Sequence, residues 1–147
     1  MTDSSARINA LILDAMDPER LAAFWSEVLG RPVVGRTGPY VWLRRENGLA
    51  LGFQRADTPK SGKNRMHVDI AAPDPAAEQR RIERLGGRRP EGYGDGGFLV
   101  MADPEGNEFC VIPTGPVDLD DEGRAHYLDQ TRAVSSPPSR RCQSAFA

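Results

Sequence analysis

The sequence predicts an α+β fold: two β-α-β-β-β modules forming a curved mixed sheet around a cleft, with the helices outside. Two observations carry this. First, the helix punctuation occurs twice. Asp17-Pro18 opens a helical stretch closed by Leu29-Gly30 and followed by Arg31-Pro32, and Asp74-Pro75 opens another closed by Leu85-Gly86 and followed by Arg89-Pro90. Second, Tyr40 lies eight residues before Gly48, and Phe98 lies eight before Gly106. All these pairs share an offset of about 56–58 residues, the mark of an internal repeat.

In the first module (about 6–55), Ile8 to Leu13 is an apolar run with one polar interruption and reads as a buried strand. Leu21, Phe24, Trp25, Val28 and Leu29 then follow helical spacing. Asp17 suits the N-cap, Pro18 the first turn, and Gly30 the left-handed position that ends a helix. Short strands follow near Val33-Val34, over Tyr40 to Arg44, and over Leu49 to Gln54, with Asn47-Gly48 as a tight turn between the last two.

The second module (about 64–114) repeats the order. Met66 to Ala71 reads as a strand, Pro75 to Leu85 as a helix with a thin apolar stripe, and Phe98 to Ala102 and Glu108 to Ile112 as strands. Asp103-Pro104-Glu105-Gly106-Asn107 is a hairpin turn, because Pro presets φ and Gly supplies a positive φ. It is not a phosphate loop, since no Lys-Ser/Thr follows it. Residues 55–64 connect the modules. The domain spans 6–116, and 117–147 is a polar, largely disordered extension with one short helix near Glu122 to Gln130.

Strand alternation selects the residues that face away from the helices. In the second module these are His67, Asp69, Glu108 and Cys110; in the first, Ala10, Gly52 and Gln54. Under the repeat, Ala10 matches His67 and Gly52 matches Cys110, so these four line one concave surface. Tyr40, Trp42 and Arg44 share a strand face suited to an aromatic or anionic ligand. His67 fits either a ligand-contacting acid, base or donor, with Asp69 fixing its tautomer, or a structural histidine. Cys110 fits a nucleophile beside His67 or a small buried apolar residue.

The doubled module, the phrase Phe24-Trp25-Ser26-Glu27-Val28-Leu29-Gly30 and the turn Asp103 to Asn107 resemble the vicinal oxygen chelate superfamily. That group includes glyoxalase I, extradiol dioxygenases and bleomycin- and fosfomycin-resistance proteins. Asn64-Arg65-Met66-His67-Val68-Asp69, with Asp103 through Val111, more closely resembles its glyoxalase-like domains. The resemblance implies a homodimer and a four-position metal site carrying His or Gln, Glu, His and Glu. Here those positions hold Ala10, Gly52, His67 and Cys110. Ala and Gly offer no side-chain ligand, so no metal cofactor is expected; an ion, if held, would take His67 with Glu108 or Cys110.

The bulk composition narrows the field further. A net charge of −2 gives no footprint for nucleic acid or an anionic membrane surface, and no apolar run approaches a membrane span. Two cysteines are too few for a disulfide framework, which points to a reducing cytoplasm. Three classes of function fit these residues. One is a domain that holds a small organic ligand in the cleft, another a metal-dependent lyase or dioxygenase, and the third a metal-free acid–base enzyme using His67.

Overall fold

The computed structural model describes residues 4–93, 99–114, 117–119, 121 and 125–127. The chain divides into two compact units, 1–61 and 62–147.

In the first unit, β1 (Ala10–Ala15), α1 (Pro18–Leu29), β2 (Val33–Thr37), β3 (Tyr40–Leu43) and β4 (Ala50–Arg55) follow in order. Asp17 caps α1 by accepting the Arg20 backbone N–H at 3.1 Å, and Gly30 ends it at φ 66°. The sheet order is β1-β4-β3-β2, with β1 parallel to β4 and the other pairs antiparallel. Leu21, Phe24 and Trp25 of α1 are buried, as are Val41, Leu43, Leu51 and Phe53 of the sheet. Each such side chain contributes on the order of 1.5–3 kcal/mol through burial. The Asn47-Gly48 turn forms as expected, both residues having positive φ (51° and 76°), between reciprocal Glu46 and Leu49 backbone bonds of 3.1 and 3.0 Å.

In the second unit, β5 (Asp69–Ala72), α2 (Pro75–Arg84), β6 (Leu99–Ala102) and β7 (Glu108–Pro113) form a three-stranded sheet of order β5-β7-β6, with α2 packed on it through a single buried residue, Ile82. Among the described residues, the strand equivalent to β2 is reduced to one bridge. Arg88 exchanges backbone bonds of 3.0 and 2.7 Å with Ala102. A hairpin of β8 (Val117–Leu119) and β9 (Ala125–Tyr127) follows.

The two registers agree with the repeat. Gly52 lies between Ile12 and Trp42, and Cys110 lies between Asp69 and Val100. The α+β fold and the modular order expected from sequence therefore hold.

Three expectations are corrected. β1 begins at Ala10, not Ile8, because its partner among the described residues, β4, begins at Ala50 once the Asn47-Gly48 turn is complete; Ile8 is 75% exposed. β5 begins at Asp69, not Met66. The Asn64 backbone N–H is bonded to the Glu108 side chain rather than to a neighbouring strand, and Met66 is 75% exposed instead of facing the helix. The helix expected near 122–130 is replaced at 125–127 by β9, whose backbone pairs with β8. Phe98 and the tail 128–147, expected to be strand and disordered respectively, lie outside the described residues.

Candidate functional site

The approach to β5 and the middle of β7 bring three of the expected residues together in the second unit. His67 lies two residues ahead of β5, and its Nε2 is 3.4 Å from Asp69 Oδ1. Asp69 is the cross-strand partner of Cys110, and the Cys110 N–H donates to Val68 O at 3.0 Å. The potential ligand atoms of His67, Asp69 and Cys110 all lie within 4.8 Å of one another. The His67 side chain is 17% exposed and that of Asp69 38%, so solvent reaches both. Desolvation holds the Asp69 carboxyl above the ordinary Asp range, and the neighbouring His67 partly offsets this.

Cys110 is fully buried and disulfide-bonded, and no described cysteine is free. Of the two readings of Cys110, nucleophile or small buried residue, a bonded sulfur leaves only the second. The chain's other cysteine, Cys142, lies outside the described residues. A disulfide sulfur is neither a nucleophile nor a thiolate ligand.

Glu108 is also buried, and its carboxylate accepts the Asn64 backbone N–H at 3.1 Å. It therefore anchors the segment leading to His67. Sequence reasoning missed the residue it anchors, Asn64. The Asn64 side-chain amide donates to Asn107 Oδ1 at 3.0 Å, while Asn107 Nδ2 donates to both Asp103 oxygens at 3.1 and 2.9 Å. An ionised carboxylate only accepts, so Asp103 fixes which way the Asn107 amide points. That orientation presents Oδ1 to Asn64. The hairpin turn thus positions the chain three residues ahead of His67.

In the first unit, Tyr40 and Trp42 stack with ring centroids 5.4 Å apart and planes at 21°. Gln54 is the cross-strand partner of both Tyr40 and Asp14. Arg44 lies beyond the end of β3 and donates to Glu46 at 2.6 Å; Arg31 holds the other Glu46 oxygen at 3.0 Å. These two guanidiniums hold the Glu46 carboxyl below the usual carboxylate range. Arg44 is committed to this cluster.

Residues 10–112 match the family model described as Glyoxalase-like domain. The chain belongs to this glyoxalase-like family. The family match supports the vicinal oxygen chelate superfamily that the motifs implied, and solved structures share the fold. A glyoxalase-related enzyme from Fulvimarina pelagi is 18% identical with a TM-score of 0.59, covering 84% of this chain and 99% of its own. A glyoxalase/bleomycin resistance protein from Albidiferax ferrireducens is 21% identical (TM-score 0.54; 72% and 98% covered). Glyoxalase I of Leishmania major is 18% identical (TM-score 0.55; 74% and 87% covered). At these identities the likeness establishes the fold. No curated protein matches the chain. Among the described residues, no helix is long and apolar enough to cross a membrane.

The positions that the resemblance assigns to a metal ion carry few ligand atoms in this chain. The first unit offers none at the quartet positions: Ala10 has no ligand atom, and a Cβ added at Gly52 would meet the Trp42 ring at 2.6 Å. In the second unit, with Cys110 oxidised, His67 and Asp69 remain. Two donors fall short of the three protein ligands usual for catalytic zinc.

Proposed function

We propose that this glyoxalase-like domain holds a small organic molecule, and that His67, oriented by Asp69, is the side chain that contacts it. The observation that carries this reading is the His67–Asp69 pair, solvent-reachable and held at the end of a segment clamped by Glu108 and Asn107. Burial beneath a fixed carboxylate partner gives an imidazole a set orientation, which a binding or proton-handling group needs. The glyoxalase relatives of this fold are in keeping with a small-molecule ligand. Native mass spectrometry of freshly purified protein tests the reading. A retained organic mass, lost in His67→Ala while the far-UV spectrum is unchanged, is the expected result. Unchanged retention in that variant would assign His67 a structural role only.

A second reading is divalent metal binding, favoured by the grouping of His67, Asp69 and Cys110 ligand atoms. Under reducing conditions the Cys110 disulfide opens and a third donor returns. The same spectra recorded with zinc, before and after phosphine reduction, decide it. One zinc per chain appearing only after reduction, and abolished by His67→Ala, would establish the metal site. The spectra also report whether the chain forms the homodimer its motifs imply.

A further inference from the structure

On the helix-free face of the first unit, residues align in two rows across three strands. Ile12, Gly52 and Trp42 form one, and Asp14, Gln54 and Tyr40 the other. Val41 and Leu43, which alternate with Tyr40 and Trp42, are buried on the opposite face. Gly52 is the key position. A Cβ built there would lie 2.6 and 2.8 Å from Trp42 Cζ3 and Cε3, and 3.0 Å from Ile12 Cδ1. The indole therefore rests directly on the Gly52 backbone, in space that any side chain at this position would need. Gly52 has an ordinary negative φ, so conformation does not call for glycine here; the close approach of the ring does.

Tyr40 stacks against the indole, so the two rings form one aromatic block on this face. Tyr40, Trp42 and Gln54 are half-buried, and Ile12 is 41% exposed. One edge of this floor is polar. Gln54 offers donors and an acceptor, and the exposed Asp14 offers a carboxylate. That charge disfavours an anion and suits N–H donors.

We propose that Trp42, seated on Gly52, is the floor of a site for a planar nitrogen heteroaromatic, neutral or cationic, whose N–H edge faces Asp14 and Gln54. This rests on the reading that the domain holds a small organic molecule, and it names a class of ligand for the first unit taken by itself. Gly52 is a positioning residue acting through Trp42.

The chain has two tryptophans, so its amide–nitrogen NMR spectrum has two indole N–H signals. Trp25 is 3% exposed within the α1 core and serves as an internal control. The probe is lumichrome, a neutral three-ring heteroaromatic with N–H donors on one edge; the controls are 2-naphthoate, planar and anionic, and decahydro-2-naphthol, saturated. Lumichrome should move the Trp42 signal and leave Trp25 in place, with both controls weaker. Trp42→Leu should weaken lumichrome binding about tenfold, the value of a good aromatic pair. Gly52→Ala should weaken it by about as much while displacing the Trp42 signal in the free protein. If Gly52→Ala fails to fold, Trp42→Leu decides alone.

Equal binding of the saturated control, undiminished binding in Trp42→Leu, or a Trp42 signal that follows protein concentration instead of lumichrome would overturn the proposal. The last would mark a second copy on this face. Were an organic molecule retained through His67 with no response at Trp42, this inference alone would fall. Were nothing retained and neither residue responsive, the underlying reading would fall with it.

Discussion

Replacing Asp103 by Ala should damage the second unit more than any other single change in its loops. The carboxylate is fully buried and accepts from the Glu105 N–H (3.0 Å), the Asn107 N–H (2.9 Å) and the Asn107 side-chain amide (3.1 and 2.9 Å). A hydrogen bond to a charged acceptor is worth about 1.5–3 kcal/mol. These bonds share one carboxylate and are not additive, so about 3–4 kcal/mol is the expected loss. For a domain of this size that lowers Tm by roughly 10–15 °C. Asp103→Asn keeps one oxygen for the backbone donors and should lose only about 1 kcal/mol. Thermal unfolding followed by circular dichroism measures both. The change should also travel. With the Asn107 amide released, the Asn64 and His67 backbone signals should shift in an NMR spectrum taken below the transition. A loss under about 1 kcal/mol for Asp103→Ala, or shifts confined to 103–107, would refute the clamp.

Other perturbations probe separate parts of the molecule. Ile82→Ala removes the one buried side chain of α2 and should cost about 2–5 kcal/mol by denaturant titration, α2 having no other anchor of that size. Gly87→Ala should cost about 1–3 kcal/mol by overpacking, because the added methyl would overlap Ile82 and lie 3.2 Å from Ala102 O. Asp69 has its folded pKa raised above the ordinary 3.8, mainly by desolvation, so the native state holds that proton more tightly than the unfolded chain. Its contribution is present below 3.8 and lost as pH rises through the folded value; Asp69→Asn should therefore raise Tm at pH 7, with the gain shrinking towards pH 3. Glu46 behaves oppositely. Its pKa is lowered by Arg44 and Arg31, so the stability it adds is present above 4.5 and disappears as acid protonates it; Glu46→Gln should lower Tm at pH 7 but not at pH 3.

Much of the fold was legible because it is written in contacts a few residues long. Asp17 and Asp74 cap helices by reaching three residues ahead, and Asn47-Gly48 turns the chain with its own φ angles. The repeat then located His67, Asp69 and Cys110 on one face. The distant partnerships were not legible. Asn64 meets Asn107 and Glu108 across more than forty positions, and nothing in the run Asn64-Arg65-Met66 signals a side chain taking the backbone donor that a strand would use. The seating of Trp42 on Gly52 also needed the register of β3 on β4; in sequence Gly52 looked only like a lost ligand. Arg44 was aligned with Tyr40 and Trp42 by alternation, but β3 ends at Leu43 and the guanidinium turns to Glu46.

Each unit opens with a strand that must wait for its own closing strand. Among the described residues, β1 pairs only with β4, joining positions 10 and 50, and β5 pairs only with β7, joining 69 and 110. Such long closures are slow relative to helix and hairpin formation. During synthesis, α1 and the β2–β3–β4 meander can assemble from local contacts while β1 stays unpaired, its apolar residues open to chaperones until Arg55 has emerged. The second unit then faces the same delay. The order in which the chain leaves the ribosome therefore gives the first unit all of its strands before the second has any.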